Sequence, residues 1–150
     1  MNQEKSIEVL NTLIEINNDR IEGYETASEE TEESDLKALF SQLIKTSQNC
    51  KMELVNEVRK LGGETIEGTR TTGKFFRVWM DVKAALSGKN RKTILSSCEY
   101  GEDVAVDTYA KALKDHSEDL SYEQREMLQL HHTAIKADHD TIKNLHDMAS

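Results

Sequence analysis

No proline occurs anywhere in the 150 residues of this chain. Proline costs about 3 kcal/mol inside a helix, whereas loops and the edges of sheets usually carry some. Only 37% of the residues are hydrophobic, but an amphipathic helix needs only about three apolar residues per heptad. The sequence therefore predicts an all-α protein, and its length predicts one domain over residues 1–150.

Apolar residues recur at alternating spacings of three and four, which is the period of one helical face. The pattern predicts a first helix over about Ser6–Glu33 and a second that is capped by Ser34 and ended by Gly62 and Gly63. A third predicted helix covers about Asn90–His116. A capping box at Ser121–Gln124 then begins the last helix.

The lengths of the connections predict how these helices are arranged. Short turns join the first helix to the second and the third to the fourth, so each pair is antiparallel. The middle link, residues 62–90, is long enough to travel the length of a bundle, and it contains a short predicted helix that begins at Thr72. One long crossover between two antiparallel pairs is the ferritin-like four-helix bundle.

Charge and missing motifs exclude several classes of function. The chain carries 28 acidic and 19 basic residues, a net charge of −9, so it is a poor binder of nucleic acid. It has no signal peptide and no apolar run long enough for a membrane span, which predicts a cytoplasmic protein. No phosphate loop, nucleophile elbow or H-E-x-x-H motif is present, and no catalytic residue is predicted.

Ferritin-like bundles often hold two metal ions through one Glu from each of two helices and Glu-x-x-His from each of the other two. No Glu of this chain has a His three residues further on. A weaker set of acids and histidines lies near the midpoints of the four helices: Glu22, Glu53, Glu102, His139 and also His132. Carboxylates gathered in a low-dielectric interior need a metal or protons to compensate their charge. One interpretation is therefore an atypical site for iron or another divalent metal; the other is that these acids reach solvent.

Further polar and sulfur-containing residues fall on the inner faces of the predicted helices. They are Asn17, Tyr24, Ser47 and Thr108, with Cys50 and Cys98 on apolar faces. Buried polar groups need partners, so we expect a tyrosine hydroxyl to bond an Asn or Ser across helices; the alternative is a second shell around a metal. We expect both cysteines to be free and buried.

The crossover helix is the predicted interface. Its apolar residues Phe75, Phe76, Trp79 and Val82 cannot all face one side, because Phe75 and Phe76 are adjacent on a helix. The exposed remainder favours a contact with another subunit or a protein partner. Binding to a lipid surface is a further alternative.

Five stretches, in the expected order, carry a resemblance to a known family: Leu13–Ala27, Leu61–Gly63, Arg77–Leu86, Cys98–Leu113 and His139–Asp147. The chain resembles a bacterial family of ferritin-like four-helix bundles, domain of unknown function 2383. The resemblance implies a ferritin-like fold, a bacterial cytoplasmic protein and an association with stress responses, and it implies no activity. The Glu-x-x-His ligands of ferritins and rubrerythrins have no match here, so their iron chemistry is not carried over.

The leading hypothesis is therefore a non-enzymatic bundle that acts as a homo-oligomer, most simply a dimer, or through a protein partner. The alternative is a metal-binding ferritin-like protein with an atypical carboxylate and histidine site.

Overall fold

The computed structural model describes residues 3–65 and 91–149, most of which are helical. Helix α1 spans Gln3–Glu30, α2 spans Ser34–Lys60, α3 spans Arg91–Asp115 and α4 spans Tyr122–Met148. These two described stretches contain no β-strand. The prediction of an all-α four-helix bundle is confirmed, whereas the short helix predicted from Thr72 lies outside the described residues.

The helices form two antiparallel hairpins, α1 with α2 and α3 with α4, and α1 also packs on α3 while α2 packs on α4. The end of α2 lies beside the start of α1, where Asn11 Nδ2 donates to the carbonyl of Glu64 at 2.9 Å. The start of α3 lies at the opposite end, where Arg91 pairs with Asp35 at 2.8 Å and with Glu33 at 3.1 Å. The chain thus leaves α2 at one end of the bundle and enters α3 at the other, as the loop lengths predict.

Among the predicted helix ends, two are confirmed, one is displaced by three residues and one cap is displaced by a single residue. Gly62 ends α2 with a φ of 77°, and the Ser121 capping box is formed on both sides. Helix α1 ends at Glu30, because the Thr31 hydroxyl accepts the amide of Glu33 at 3.2 Å and turns the chain. The predicted cap at Ser34 is wrong by one residue: the N-cap position is Glu33, which makes no side-chain cap bond.

The core runs through all four helices, and most of it follows the predicted stripes. On α2 every inner residue from Leu36 to Val58 is buried as the period predicts. Helix α1 differs, because residues 13–20 are all buried and the helix is enclosed on every side. Its enclosed stretch includes Asn17 and Arg20, so the middle of this core is polar.

No helix within the two described stretches has the length and apolar character needed to cross a bilayer.

Candidate functional site

The centre of the bundle holds a buried guanidinium. Arg20 of α1 donates from Nε to Glu102 Oε2 at 3.0 Å and from Nη2 to Glu102 Oε1 at 2.6 Å. Both side chains are fully buried, and the two parallel bonds form the strong fork that arginine makes with a carboxylate. Because Glu102 belongs to α3, this ion pair joins the two hairpins at the level of the helix midpoints.

The remaining two helices also contribute to this centre. Ser47 of α2 accepts a bond from Arg20 Nη1 at 2.5 Å, and Asp138 of α4 lies 3.5 Å from Nη2. Tyr24 donates its hydroxyl to Glu102 Oε1 at 2.9 Å. We call these five residues the Arg20 cluster; in it, both oxygens of Glu102 and all three guanidinium nitrogens already have partners.

Burial and the neighbouring charges together determine the protonation of this cluster. Burial alone would lower the pKa of Arg20, but the adjacent Glu102 raises it above its ordinary value, so the guanidinium stays charged. The pKa of Asp138 is raised, because burial and the nearby Glu102 outweigh the attraction of Arg20. Burial also raises the pKa of Tyr24, next to the same carboxylate, so its hydroxyl stays a donor.

A second polar cluster, the Tyr109 cluster, lies along the same core. Asn17 Nδ2 donates to the Tyr109 hydroxyl at 2.9 Å, and that hydroxyl lies 3.1 Å from Nδ1 of His131. His131 Nε2 is 3.6 Å from Oε1 of Glu53, a half-exposed carboxylate. Cys50 lies beside Tyr109 and completes the cluster. The cluster therefore links the interior to the surface of α2.

Tyr109, His131 and Cys50 of the Tyr109 cluster are held in their neutral forms. Burial lowers the pKa of His131, against the opposing attraction of Glu53. Burial raises the pKa of Cys50 to about 11, and it raises that of Cys98 still further. Because a thiolate is the form that attacks or binds metal, these two free, buried thiols are structural, as the sequence predicts.

The structure disperses the residues that the sequence offered as metal ligands. Glu102 is buried and paired with Arg20, whereas Glu22 is exposed on α1 and Glu53 lies beside His131. His139 lies at the α3–α4 surface, where it pairs with Asp103 and Asp140, and His132 is half-buried on α4.

Nowhere in residues 3–65 and 91–149 do three or more His, Cys, Asp or Glu side chains form a group that could hold a metal ion. The donor set around Glu102 does not fit a two-cation site either, because a permanent cation already occupies the space next to the carboxylate.

The expectation that polar residues in the core have hydrogen-bond partners is confirmed for three of the four residues. Asn17, Tyr24 and Ser47 are buried, and Asn17 bonds the hydroxyl of Tyr109 across helices as expected. Thr108 is only half-buried and donates to the carbonyl of Val104 at 2.7 Å. The predicted interface residues Phe75, Phe76, Trp79 and Val82 lie outside the described residues.

The sequence reasoning missed Arg20, and a signal for it was present. Arg20 is the only basic residue between Lys5 and Lys37. It follows Asn17 by three residues and precedes Tyr24 by four, so it shares their face of the helix. A lone base on an inward face, in a helix rich in acids, indicates a partner carboxylate in the core.

A family model described as "Domain of unknown function (DUF2383)" matches residues 5–115. The search of curated proteins gives no match.

Proposed function

The chain belongs to this family, and we propose that it is a metal-independent, non-enzymatic helical bundle that acts by binding protein chains, either its own copies or a partner. The observation that supports this proposal best is the Arg20 cluster. A bundle centre that neutralises its own carboxylate by an internal guanidinium needs no metal for charge balance.

The electrostatic repulsion that a metal ion would meet at this centre distinguishes the proposal from the metal-binding alternative. A divalent cation about 4 Å from a guanidinium is repelled by roughly 8 kcal/mol at an effective dielectric constant of about 20. Glu102 cannot offset that repulsion fully, because both of its oxygens already accept bonds from Arg20 and Tyr24. The centre therefore favours the internal ion pair over a bound metal.

The described surface supports action through contacts. Within residues 3–65 and 91–149, five large apolar side chains are exposed, and four of them, Tyr100, Tyr122, Leu130 and Met148, lie on the α3–α4 hairpin. Single exposed apolar residues are common on any protein, but their concentration on one hairpin favours a binding surface there.

The test measures metal content and assembly on the same tag-free protein. After anaerobic incubation with Fe(II) and desalting, we expect elemental analysis to find no stoichiometric metal, and light scattering at high concentration to find an oligomer or a pull-down to find a partner. About two metal ions per chain that are lost in Glu102→Gln would overturn the proposal in favour of the metal site. A monomer without a partner would overturn it as well.

A further inference from the structure

The Tyr109 cluster contains a chain of hydrogen bonds whose direction follows from its first member. The Nδ2 atom of Asn17 donates to the carbonyl of Leu13 at 2.8 Å and to the Tyr109 hydroxyl at 2.9 Å. Because a carbonyl only accepts hydrogen bonds, the side-chain atom beside it must be the amide nitrogen and not the amide oxygen. The Tyr109 oxygen therefore accepts from Asn17, and its own hydrogen is available to another acceptor.

The sulfur of Cys50 and Nδ1 of His131 both lie beside the Tyr109 hydroxyl, the latter at 3.1 Å. A thiol sulfur is a weak acceptor, whereas a neutral imidazole has one free nitrogen that accepts well, so the hydroxyl donates to Nδ1. The hydrogen of the neutral ring then lies on Nε2, which is 3.6 Å from Oε1 of Glu53 and too far for a hydrogen bond. The chain of bonds thus runs from α1 through α3 to α4 and stops before α2.

His131 is buried, and titratable or charged groups surround it from all four helices. They are Glu53 and Cys50 of α2, Tyr109 of α3 and, through their charges on Cys50, Arg20 of α1 and Asp138 of α4. Glu53 acts on the imidazole directly, and its charge favours the protonated ring. Burial favours the neutral ring and is the larger effect. Because Glu53 is half-exposed, this side of the ring lies next to solvent.

We propose that the Tyr109 hydroxyl is a reversible relay and that His131, by taking up a proton in mild acid, reverses it. A protonated imidazole donates from both nitrogens. Nδ1 then donates to the Tyr109 oxygen, which accepts from Asn17 as well, and the tyrosine hydrogen turns to the sulfur of Cys50. The proton comes from solvent and stays on His131, so the Tyr109 hydroxyl rotates without losing its hydrogen.

The same proton changes a contact between the two hairpins. Nε2 of the charged ring attracts the carboxylate of Glu53, 3.6 Å away, and this pair joins α4 of one hairpin to α2 of the other. The half-exposed pair contributes little, and the thiol is a weak acceptor for Tyr109, so the acid form is the less stable of the two. The bundle thus has two internal hydrogen-bond arrangements whose balance depends on pH, a property that goes beyond the proposed function and is independent of it.

NMR spectroscopy of the histidine rings tests the direction of the chain at neutral pH. In ¹⁵N-labelled protein with a metal chelator present, the ring signals of His131 are those that disappear in His131→Gln. At about pH 7.5 we expect the tautomer with its hydrogen on Nε2, and on acidification a titration midpoint below the ordinary value of 6.5. The tautomer with its hydrogen on Nδ1 would overturn the inference, because the Tyr109 hydroxyl would then already point away from the ring.

Two matched variants test the partner on α2. Glu53→Gln removes the charge that favours the protonated ring, and we expect it to lower the titration midpoint of His131 by about 0.5. The control is Glu57→Gln, the same change one turn further along α2, where the carboxylate accepts from Gln124 at 3.4 Å. We expect this control to leave the midpoint unchanged. A midpoint in Glu53→Gln equal to that of the wild type would contradict the proposed closing of the α2–α4 pair.

Tyr109→Phe distinguishes a hydroxyl that reverses from one that only donates. A hydroxyl that only donates stabilises the neutral ring, so its loss would raise the midpoint of His131. A hydroxyl that reverses also supplies the acceptor for the charged ring, and bonds from a charged donor are the stronger ones, so we expect its loss to lower the midpoint. A raised or unchanged midpoint would show that the relay does not reverse. Should a circular dichroism melt show that Tyr109→Phe does not fold, Cys50→Ala removes the acceptor for the turned hydrogen and should lower the midpoint too, and an unchanged midpoint there leads to the same rejection.

Discussion

Removal of the carboxylate at the bundle centre is the sharpest test of how this fold is held together. Glu102→Ala deletes two bonds from Arg20 and one from Tyr24 and leaves a guanidinium without its main counter-charge. Breaking a buried ion pair costs about 3–5 kcal/mol. Because Asp138 lies 3.5 Å from Nη2 and takes up part of the charge, we expect a loss of about 3–4 kcal/mol in the free energy of unfolding.

Urea denaturation followed by circular dichroism measures this loss, and a thermal melt should fall by about 6–16 °C for a chain of this size. The matched control is Asp107→Ala, which removes an exposed acid of the same helix whose partner is Lys111; we expect a change of no more than about 0.5 kcal/mol. A double variant, Arg20→Met with Glu102→Leu, should lose less stability than Glu102→Ala alone. A Glu102→Ala protein within about 1 kcal/mol of the wild type would show that the ion pair does not hold the centre together.

Three further outcomes are expected. Because the folded state lowers the pKa of His131 below its ordinary value of 6.5, the unfolded chain binds more protons below that pH and stability should fall as the pH falls. His131→Phe should make the urea midpoint depend less on pH between about pH 7 and pH 5. A variant whose midpoint varies with pH as steeply as that of the wild type would contradict this. Gly62→Ala, at a φ of 77°, should cost about 1–2 kcal/mol in the urea midpoint, and a neutral result would mean that the turn relaxes. Ser121→Ala removes the cap bond to the amide of Gln124 and should cost about 1 kcal/mol in the free energy of unfolding. Ser34 is exposed and makes no cap bond, so Ser34→Ala should leave that free energy unchanged.

The fold could be predicted from the sequence because its signals are local and repeated. The helical period, the absence of proline and the Ser121 capping box each concern residues close in the chain, and each agrees with the structure. The end of the first helix was harder to predict. It depends on the bond that the Thr31 hydroxyl accepts from the amide of Glu33, and this bond competes with continuation of the helix. Such local competition leaves no trace in the hydrophobic pattern.

The centre of the bundle was harder to predict, because its chemistry depends on which side chains meet across helices. The level of Glu102 could be predicted from its place near the middle of α3, but its partner lies 82 residues away in the chain. The spacing of apolar residues in the first helix predicts that Ile21 faces the core, whereas the structure buries Arg20 there and leaves Ile21 half-buried. A shift of one residue along the helix therefore replaces an apolar side chain at the centre by a charged one. His131 and His132 pose the same problem, since adjacent residues of one helix differ only in direction.

A buried ion pair also explains why so few apolar residues suffice to define one arrangement of these helices. Apolar stripes alone allow neighbouring helices to slide past one another by a turn at little cost, since one Leu or Ile resembles the next. Here a slip of one turn between α1 and α3 would separate Arg20 from Glu102 by about 5.4 Å along the helix axis and leave both charges buried without partners, which is costly. The Asn17–Tyr109 bond joins the same two helices at a second level and penalises the same slip. The two clusters therefore fix the register of the hairpins in the way that single polar residues fix the register of coiled coils.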